Sequence, residues 1–334
     1  MTPPGTSPVP GPVRKPVPKP VVVVAGPTAS GKSALALAIA EAFRGIVINA
    51  DSMQIYADLR VLTARPSAEE ERRVPHRLYG VLDGAEKGSA GQWRDLALAE
   101  ISRAHASGLL PVLCGGTGLY LRSLMQGIAP VPAVPAETRA AATALLHRLG
   151  NAGFHAALAE RDPVMAGRLH PGNTQRLIRA WEVLDSTGRS LADWQQAAPV
   201  GGATHLDFLC FTLLPPRDAL YAACDGRLAR MVEQGALQEV AALAARHLDP
   251  ALPVMKALGV RELAAHLAGT LALDTAIEEA QRETRRYAKR QMTWFRHQMP
   301  ESYIVETGFG AQYSTSPIDE IFSKIRRSGL TDAI

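Results

Sequence analysis

Cysteine is scarce in this sequence, with three residues in 334. Cys114, Cys210 and Cys224 have neither the spacing of a metal site nor the even number a disulfide framework needs, so reduced, buried thiols are expected. Long apolar runs are missing too. No stretch approaches the length of a membrane span, and the first twenty residues lack the apolar centre of a signal peptide. Membrane and secreted classes are therefore set aside, and a cytoplasmic protein is expected. Residues 1–20 are instead crowded with proline around Arg14, Lys15 and Lys19. Proline removes backbone donors and leaves little to bury, so a disordered leader is expected there. Net charge is also small, +4 at a sequence pI of about 9.0, so placement counts for more than amount. Basic residues gather at 282–296 and around Arg176 and Arg179; a polyanionic partner and a solvated helix face explain such clusters equally well.

What is present is a globular composition, 47% hydrophobic, in a chain long enough for one sizeable core and a smaller second unit. Residues 21–25 form a continuous β-branched run, the mark of a strand buried on both faces. Further strands are expected at 46–50, 109–114, 208–214 and 303–305, with helical patterns between them. That alternation predicts an α/β fold: a P-loop NTPase-like parallel sheet core. The stretch GIAPVPAVP at 127–135 is a proline-punctuated hinge, and 136–194 is helical in pattern with no strand. The expected organisation is a leader at 1–20, the first part of the core at 21–130 and an all-helical insertion domain at 131–200. Core completion with basic helices follows at 201–310, then a C-terminal tail at 311–334. A monomer is expected.

The strongest motif follows the first strand. Gly26, Pro27, Thr28, Ala29, Ser30, Gly31, Lys32 and Ser33 match GxxxxGK[ST] between a strand and a helix. Backbone N–H groups and the helix dipole favour anionic oxygens there, Lys32 adds a point charge, and the Ser33 hydroxyl suits Mg2+. Lys32, Asp51, Thr117 and Arg217 each stand just beyond the carboxyl end of an expected strand, the edge where open parallel sheets bind ligands. The later apolar strand ending in Asp that nucleotide hydrolases use is not evident; the third strand runs into Gly115-Gly116-Thr117-Gly118 instead. Asp51 is the best candidate for a general base, with a magnesium-holding or structural carboxylate as the other reading.

In the insertion, Asn173 is positioned to cap a helix whose apolar side is Leu177, Ile178, Trp181 and Leu184, which leaves Gln175, Arg176 and Arg179 outside the core. In the late helix, Arg282, Arg286, Lys289 and Arg296 oppose a stripe of Ile277, Thr284, Ala288, Met292 and Phe295. Trp181, Trp194 and Trp294 are candidates for base stacking, although tryptophans at helical spacing are more often core.

Seven segments together are more specific than any one motif: GPTASGKS at 26–33, INADSMQIY at 48–56, VPHRLYGV at 74–81, GGTGLYL at 115–121, NTQRLIRAWEV at 173–183, MKALGVREL at 255–263 and YAKRQMTWFR at 287–296. In this order, from 21 to 295, the sequence closely resembles the tRNA dimethylallyltransferase family. The resemblance implies transfer of a dimethylallyl group from dimethylallyl diphosphate to N6 of the adenosine beside the anticodon of tRNA, on its 3′ side. It implies that residues 26–33 with Mg2+ hold the leaving diphosphate, that Arg217 joins that clamp and that Asp51 accepts the amine proton. Thr117 would help fix the adenine or the diphosphate. The implied tRNA contacts are Asp51, Ser52, Met53, Gln54, Thr117 and Arg139, then Gln175, Arg176, Leu177, Ile178 and Arg179, and lastly Lys256, Ala257, Leu258, Gly259, Val260 and Arg261. Two segments depart from the family: Val260, where many relatives carry an aromatic residue, and LRVLTARP at 59–66, where relatives read closer to MDIGTAKP.

Other classes compete. A P-loop kinase of a nucleoside or small metabolite would use the same Lys32, Ser33 and Asp51 and would turn over ATP. A prenyltransferase of free adenine nucleotide would have no use for the insertion. A nucleotide-dependent RNA-binding switch would yield no prenyl product.

Overall fold

The computed structural model describes residues 19–299, 301–310 and 318–328. Most of the expected leader, residues 1–18, lies outside the described residues, as do 311–317 and 329–334 of the expected tail. The chain begins with β1 (Lys19–Ala25), α1 (Lys32–Ala42), β2 (Gly45–Asn49), α2 (Ala68–Arg73), β3 (His76–Arg77) and α3 (Ala90–Ala106). It continues with β4 (Leu110–Gly115), α4 (Gly118–Met125), α5 (Ala136–Arg161), α6 (Pro163–Arg168), α7 (Thr174–Thr187) and α8 (Leu191–Gln196). Then come β5 (Leu206–Leu213), α9 (Arg217–Glu233), α10 (Ala236–Ala245), α11 (Val260–Leu267), α12 (Leu273–Gln298), β6 (Tyr303–Val305) and α13 (Ile318–Arg327).

The six strands form one parallel sheet in the order β3-β2-β4-β1-β5-β6. Val21 to Val24 are wholly inaccessible, because β1 lies between β4 and β5 and is covered on both faces; burying each such side chain is worth about 1.5–3 kcal/mol. The chain leaves β1 toward β2 on one side and later crosses back to β5 on the other. The connections therefore diverge at β1, and the crevice of an open α/β sheet forms at the carboxyl end of such a strand. Trp93, on α3, donates from Nε1 to the Asn49 carbonyl at 2.8 Å, which ties the end of β2 to the helix behind it. In α12, Thr284, Ala288, Met292 and Phe295 are buried while Arg282, Arg286, Lys289 and Arg296 are exposed, as the periodicity predicts.

Three features differ from expectation. The two-residue strand β3 carries no periodicity to detect; it exists because Val47 N–H donates to the Pro75 carbonyl at 2.9 Å and holds the segment beside β2. Lys19 and Pro20, assigned to the leader, already pair with Leu206 and Asp207 of β5. The segment read as a tail contains α13, whose Ile321 and Ile325 are buried against the core that packs on β1 and α1.

Contacts divide the chain into two compact units, Arg122–Ala203 and the remainder. The Arg122–Ala203 unit is all helical apart from one bridge between Ile128 and Val200. Its core is built on Phe154, Leu158, Leu177, Ala180 and Val183. Helix α5 is broken at Gly150, which adopts φ 65°. Asp162 caps α6 by accepting from Met165 N–H at 2.9 Å and also accepts from the Ser190 hydroxyl at 2.7 Å. Among the described residues, no helix is long and apolar enough to cross a membrane.

Candidate active site

The loop after β1 turns inward because two of its residues take left-handed backbone conformations, Ala29 at φ 63° and Gly31 at φ 86°. A non-glycine residue in that region is strained, and alternating right- and left-handed residues point successive N–H groups into one concavity suited to an anion. Lys32 Nζ lies 3.2 Å from the Pro27 carbonyl. Burial lowers the Lys32 pKa from its ordinary value, while Cys114 and Asp51 oppose that shift. The Ser30 hydroxyl is fully buried and meets no hydrogen-bond partner among the described residues. A buried hydroxyl without a partner is costly, so a ligand oxygen there would satisfy it.

Asp51 follows β2 and is fixed at its backbone. Its N–H donates to Asn49 Oδ1 at 2.8 Å, and Asn49 Nδ2 donates to the carbonyls of Asp51 and Leu78 at 3.0 and 2.9 Å. Asp51 Oδ1 accepts from Met53 N–H at 2.9 Å, which orients the carboxylate. Thr117 follows β4; its hydroxyl accepts from Ser52 N–H at 2.9 Å and lies 3.2 Å from the Ser52 hydroxyl. Thr117 therefore braces the Asp51 loop from the neighbouring strand.

The loops after β1 and β2 contribute to a cavity of about 300 Å³ lined by Thr28, Asp51, Ser52, Met53, Thr63 and Lys256 together with Arg227, Tyr287 and Arg290, whereas Lys32, Ser33 and Thr117 are not part of its lining. Leu62, Leu228, Met231 and Leu258 supply an apolar wall. The lining thus combines cationic and hydrogen-bonding groups with apolar side chains of a kind that suits a short hydrocarbon. Tyr287 is a neutral phenol, its pKa raised by burial and by the nearby Asp51 charge. Cys114, whose thiol lies 4.0 Å from the Ser33 hydroxyl, is held protonated by burial, which pushes it up to about 11.

The cavity brings together Asp51, Ser52, Met53, Lys256, Ala257 and Leu258. Gln54 turns elsewhere, donating from Nε2 to the Thr63 and Ala64 carbonyls at 2.9 and 2.8 Å. Glu239 accepts the N–H groups of Arg60, Val61 and Leu62 at 2.8, 2.7 and 3.0 Å, so the 59–66 segment is pinned from α10. Gly259 takes φ 87° to start α11, Val260 is buried at 2% exposure and Arg261 is exposed beside Glu262. Val260 consequently has no face from which to stack on a base. Arg217 starts α9 just beyond β5, but its exposed guanidinium donates to the Tyr221 hydroxyl at 2.9 Å and does not line the cavity.

In the helical unit, Gln175 and Arg176 are exposed on α7, Ile178 is half-buried and Leu177 is wholly buried in the core. Asn173 stands at the cap position without a side-chain capping bond. Glu182, 1% exposed, accepts from Arg179 Nη1 at 2.8 Å, and Arg139 Nη1 lies 3.5 Å from the same oxygen. Trp181 packs on Phe154 under Arg161, and Trp194 lies under Arg189.

Sequence reasoning missed Arg227, Gln291, Tyr287 and Arg290. Arg227 donates to the Thr28 hydroxyl. Gln291 Oε1 accepts from Thr28 N–H at 2.8 Å while its Nε2 donates to the Gly116 carbonyl at 2.9 Å. A signal for Arg227 existed: it stands beside the buried stripe of Leu220, Cys224, Leu228 and Met231 on α9, where an arginine needs a partner.

The sequence model of the IPP transferase family matches residues 54–298. A tRNA dimethylallyltransferase of Rhodospirillum centenum is 59% identical over 288 residues, covering 86% of this chain and 92% of that protein. Its counterpart in Paramagnetospirillum magneticum is 54% identical over 310 residues, covering 93% and 97%. Of solved structures, a tRNA isopentenylpyrophosphate transferase of Bacillus halodurans has TM-score 0.65 and 31% identity over 94% of this chain and 97% of that one. A eukaryotic dimethylallyltransferase described as acting on tRNA has TM-score 0.75 and 26% identity over 93% and 80%. Sequence likeness along most of its length and a shared architecture agree, and the chain belongs to the IPP transferase family.

Proposed function

We propose that this chain is a tRNA dimethylallyltransferase, moving a dimethylallyl group from dimethylallyl diphosphate to N6 of the adenosine beside the anticodon, on its 3′ side. The observation that carries the reading is the cavity whose lining joins the Asp51 carboxylate to cationic residues, Arg227, Lys256 and Arg290, and to the apolar side chains Leu62, Leu228, Met231 and Leu258. A C5 diphosphate has both halves of that character.

In this reading the loop 26–33 holds the diphosphate, with Lys32 and Arg227 offsetting its charge. The unpartnered Ser30 hydroxyl is suited to one of its oxygens. Mg2+ fits the donor set: the exposed Ser33 hydroxyl beside the loop would contribute one ligand, as expected for a cation that relies mainly on phosphate oxygens and water. When bound, the ion would neutralise charge on the departing diphosphate. Adenine N6 attacks the allylic C1, the C–O bond breaks with its electron pair leaving on the diphosphate, and Asp51 accepts the proton released from N6. Thr117 acts by bracing the Asp51 loop. An adenine stacked in an anticodon loop must first be extruded, at a cost of about a few kcal/mol. The contacts proposed to offset that cost are Lys256 and Arg261 in the core, and Arg139, Gln175, Arg176 and Arg179 in the helical unit 122–203. The reaction belongs in the cytoplasm, where unmodified tRNA is met, and a monomer suffices for it.

The test is incubation of the purified chain with labelled dimethylallyl diphosphate and an unmodified tRNA carrying adenosine after its anticodon, followed by nucleoside analysis. N6-dimethylallyladenosine is expected. Absence of that nucleoside, with transfer of the ATP γ-phosphoryl group to a metabolite, would overturn the proposal in favour of a kinase.

A further inference from the structure

The phosphate loop is held from outside by a segment that the reaction leaves unused. Phe309 N–H donates to the Ser30 carbonyl at 3.0 Å. The Phe309 peptide lies directly against Gly31: a Cβ at Gly31 would fall 1.7 Å from the Phe309 carbonyl oxygen and 2.8 Å from its nitrogen. Gly31 thus needs to be glycine twice over, for its φ of 86° and for this approach. The Phe309 ring packs against the core cluster that includes Val22, Leu35 and Phe211.

The same stretch of chain is fastened again farther on. Ile321 and Ile325 of α13 are buried in that cluster, and Phe322 meets Phe43 edge-on at 5.1 Å. Phe43 is the C-cap of α1, and Ser30-Gly31 immediately precede its first turn. The polypeptide after β6 therefore grips the loop-bearing helix at both ends. These contacts lie beyond residue 298, where the family match stops.

We propose that residues 306–310 form a strap that positions the phosphate loop, with Phe309 as its anchoring residue. The inference rests on the loop being the diphosphate site. A loop containing Gly26 and Gly31 has backbone freedom to lose when a ligand arrives, and a loop already fixed loses less on binding. The strap holds the carbonyl of Ser30, the residue whose buried hydroxyl has no hydrogen-bond partner among the described residues. That hydroxyl and the neighbouring amides are thereby oriented before the ligand binds. Phe309 touches no reacting atom and acts through Ser30 and Gly31.

The experiment uses the full chain, as wild type, Phe309→Ala and Phe309→Leu. Inorganic diphosphate is titrated by calorimetry, and steady-state kinetics separate the KM for dimethylallyl diphosphate from kcat. Phe309→Ala is expected to weaken diphosphate binding and raise donor KM by about tenfold, the scale of a lost pre-organising contact. Its kcat and tRNA KM should stay within about twofold, and Phe309→Leu should recover most of the loss, because the ligand orders the loop once bound. Unchanged diphosphate affinity in folded Phe309→Ala, or a fall in kcat alone, would overturn the strap. Hydrogen exchange on the wild type gives a reading that needs no variant. Amides of 26–34 should be protected before diphosphate is added; exchange as free as in an open loop, slowed only by ligand, would also overturn it. A wild type that binds no diphosphate would sink the functional reading instead, and the exchange result would still judge whether Phe309 holds the loop.

Discussion

Gln291 on α12 accepts the Thr28 N–H and donates to the Gly116 carbonyl, so one buried amide closes the loops after β1 and β4 onto the same helix. Gln291→Leu keeps the bulk and orphans both backbone groups, each at a cost of about 1–3 kcal/mol. The expected result is a lower midpoint in thermal or urea denaturation together with a raised donor KM. A variant with wild-type stability would show that neither bond matters to the fold.

Asp51 touches the cavity while its backbone is locked by Asn49, so removing its carboxylate should spare the frame. Asp51→Ala is expected to bind diphosphate and tRNA and to lose about 10² to 10⁴ in single-turnover rate, the usual contribution of a positioned general base. Near-normal turnover would remove Asp51 from the base role and leave it as a structural carboxylate.

Arg227 and Arg217 lie on the same helix, yet only Arg227 reaches the phosphate loop, through the Thr28 hydroxyl. Arg227→Ala is expected to raise donor KM by about tenfold or more, in keeping with loss of a charge-assisted contact worth about 1.5–3 kcal/mol. Arg217→Ala should change it less, since its guanidinium rests on Tyr221 in solvent. An equal or larger effect at Arg217 would mean that the helix start swings onto the diphosphate, the role the resemblance implies for it.

Much of this architecture was legible because particular residues left little choice. The Val21 to Val24 run has no polar face and must lie inside a sheet, and Gly26 to Ser33 between a strand and a helix specifies a phosphate loop. The placement of Asp51 and Thr117 just beyond the ends of β2 and β4 was legible as well. What escaped notice depends on distance in sequence. Gln291 meets Thr28 across 263 residues and Arg227 meets it across 199, and neither pairing leaves a local pattern. Leu177 and Val260 were expected to meet RNA because they stand inside family motifs; that their side chains are buried is a property the motifs do not reveal. The helix α13 was missed because its amphipathic pattern, Ile321 and Ile325 four apart, is short.

Arg179 and Arg139 converge on the buried carboxylate of Glu182, whereas Arg176 stands exposed on the same helix as Arg179. Replacing Arg176 and Arg179 together with alanine is expected to weaken tRNA binding and to reduce the slope of log K against log salt by about one to two phosphate contacts. Filter binding at several salt concentrations measures this directly. An unchanged slope would assign both arginines to a solvated face, with Arg179 retained to neutralise Glu182.

Cys210 lies in β5 opposite Val23 of the central strand, and burial pushes its thiol from 9.0 up to about 12. The folded chain therefore keeps a proton that the unfolded chain releases above pH 9.0, and bound protons favour the fold less as pH rises through that window. Stability contributed by the neutral thiol is complete below pH 9.0 and is lost progressively between 9.0 and about 12, at a limiting slope of about 1.4 kcal/mol per pH unit. Cys114, raised from 9.0 to about 11, pulls in the same direction, so the Cys210 part is read as a difference. Cys210→Ala should lower stability at pH 7 through the small cavity it leaves, and should then fall less steeply than wild type above pH 9. Urea midpoints measured across that range for both proteins check this, and parallel curves would mean that water reaches the thiol in the folded chain.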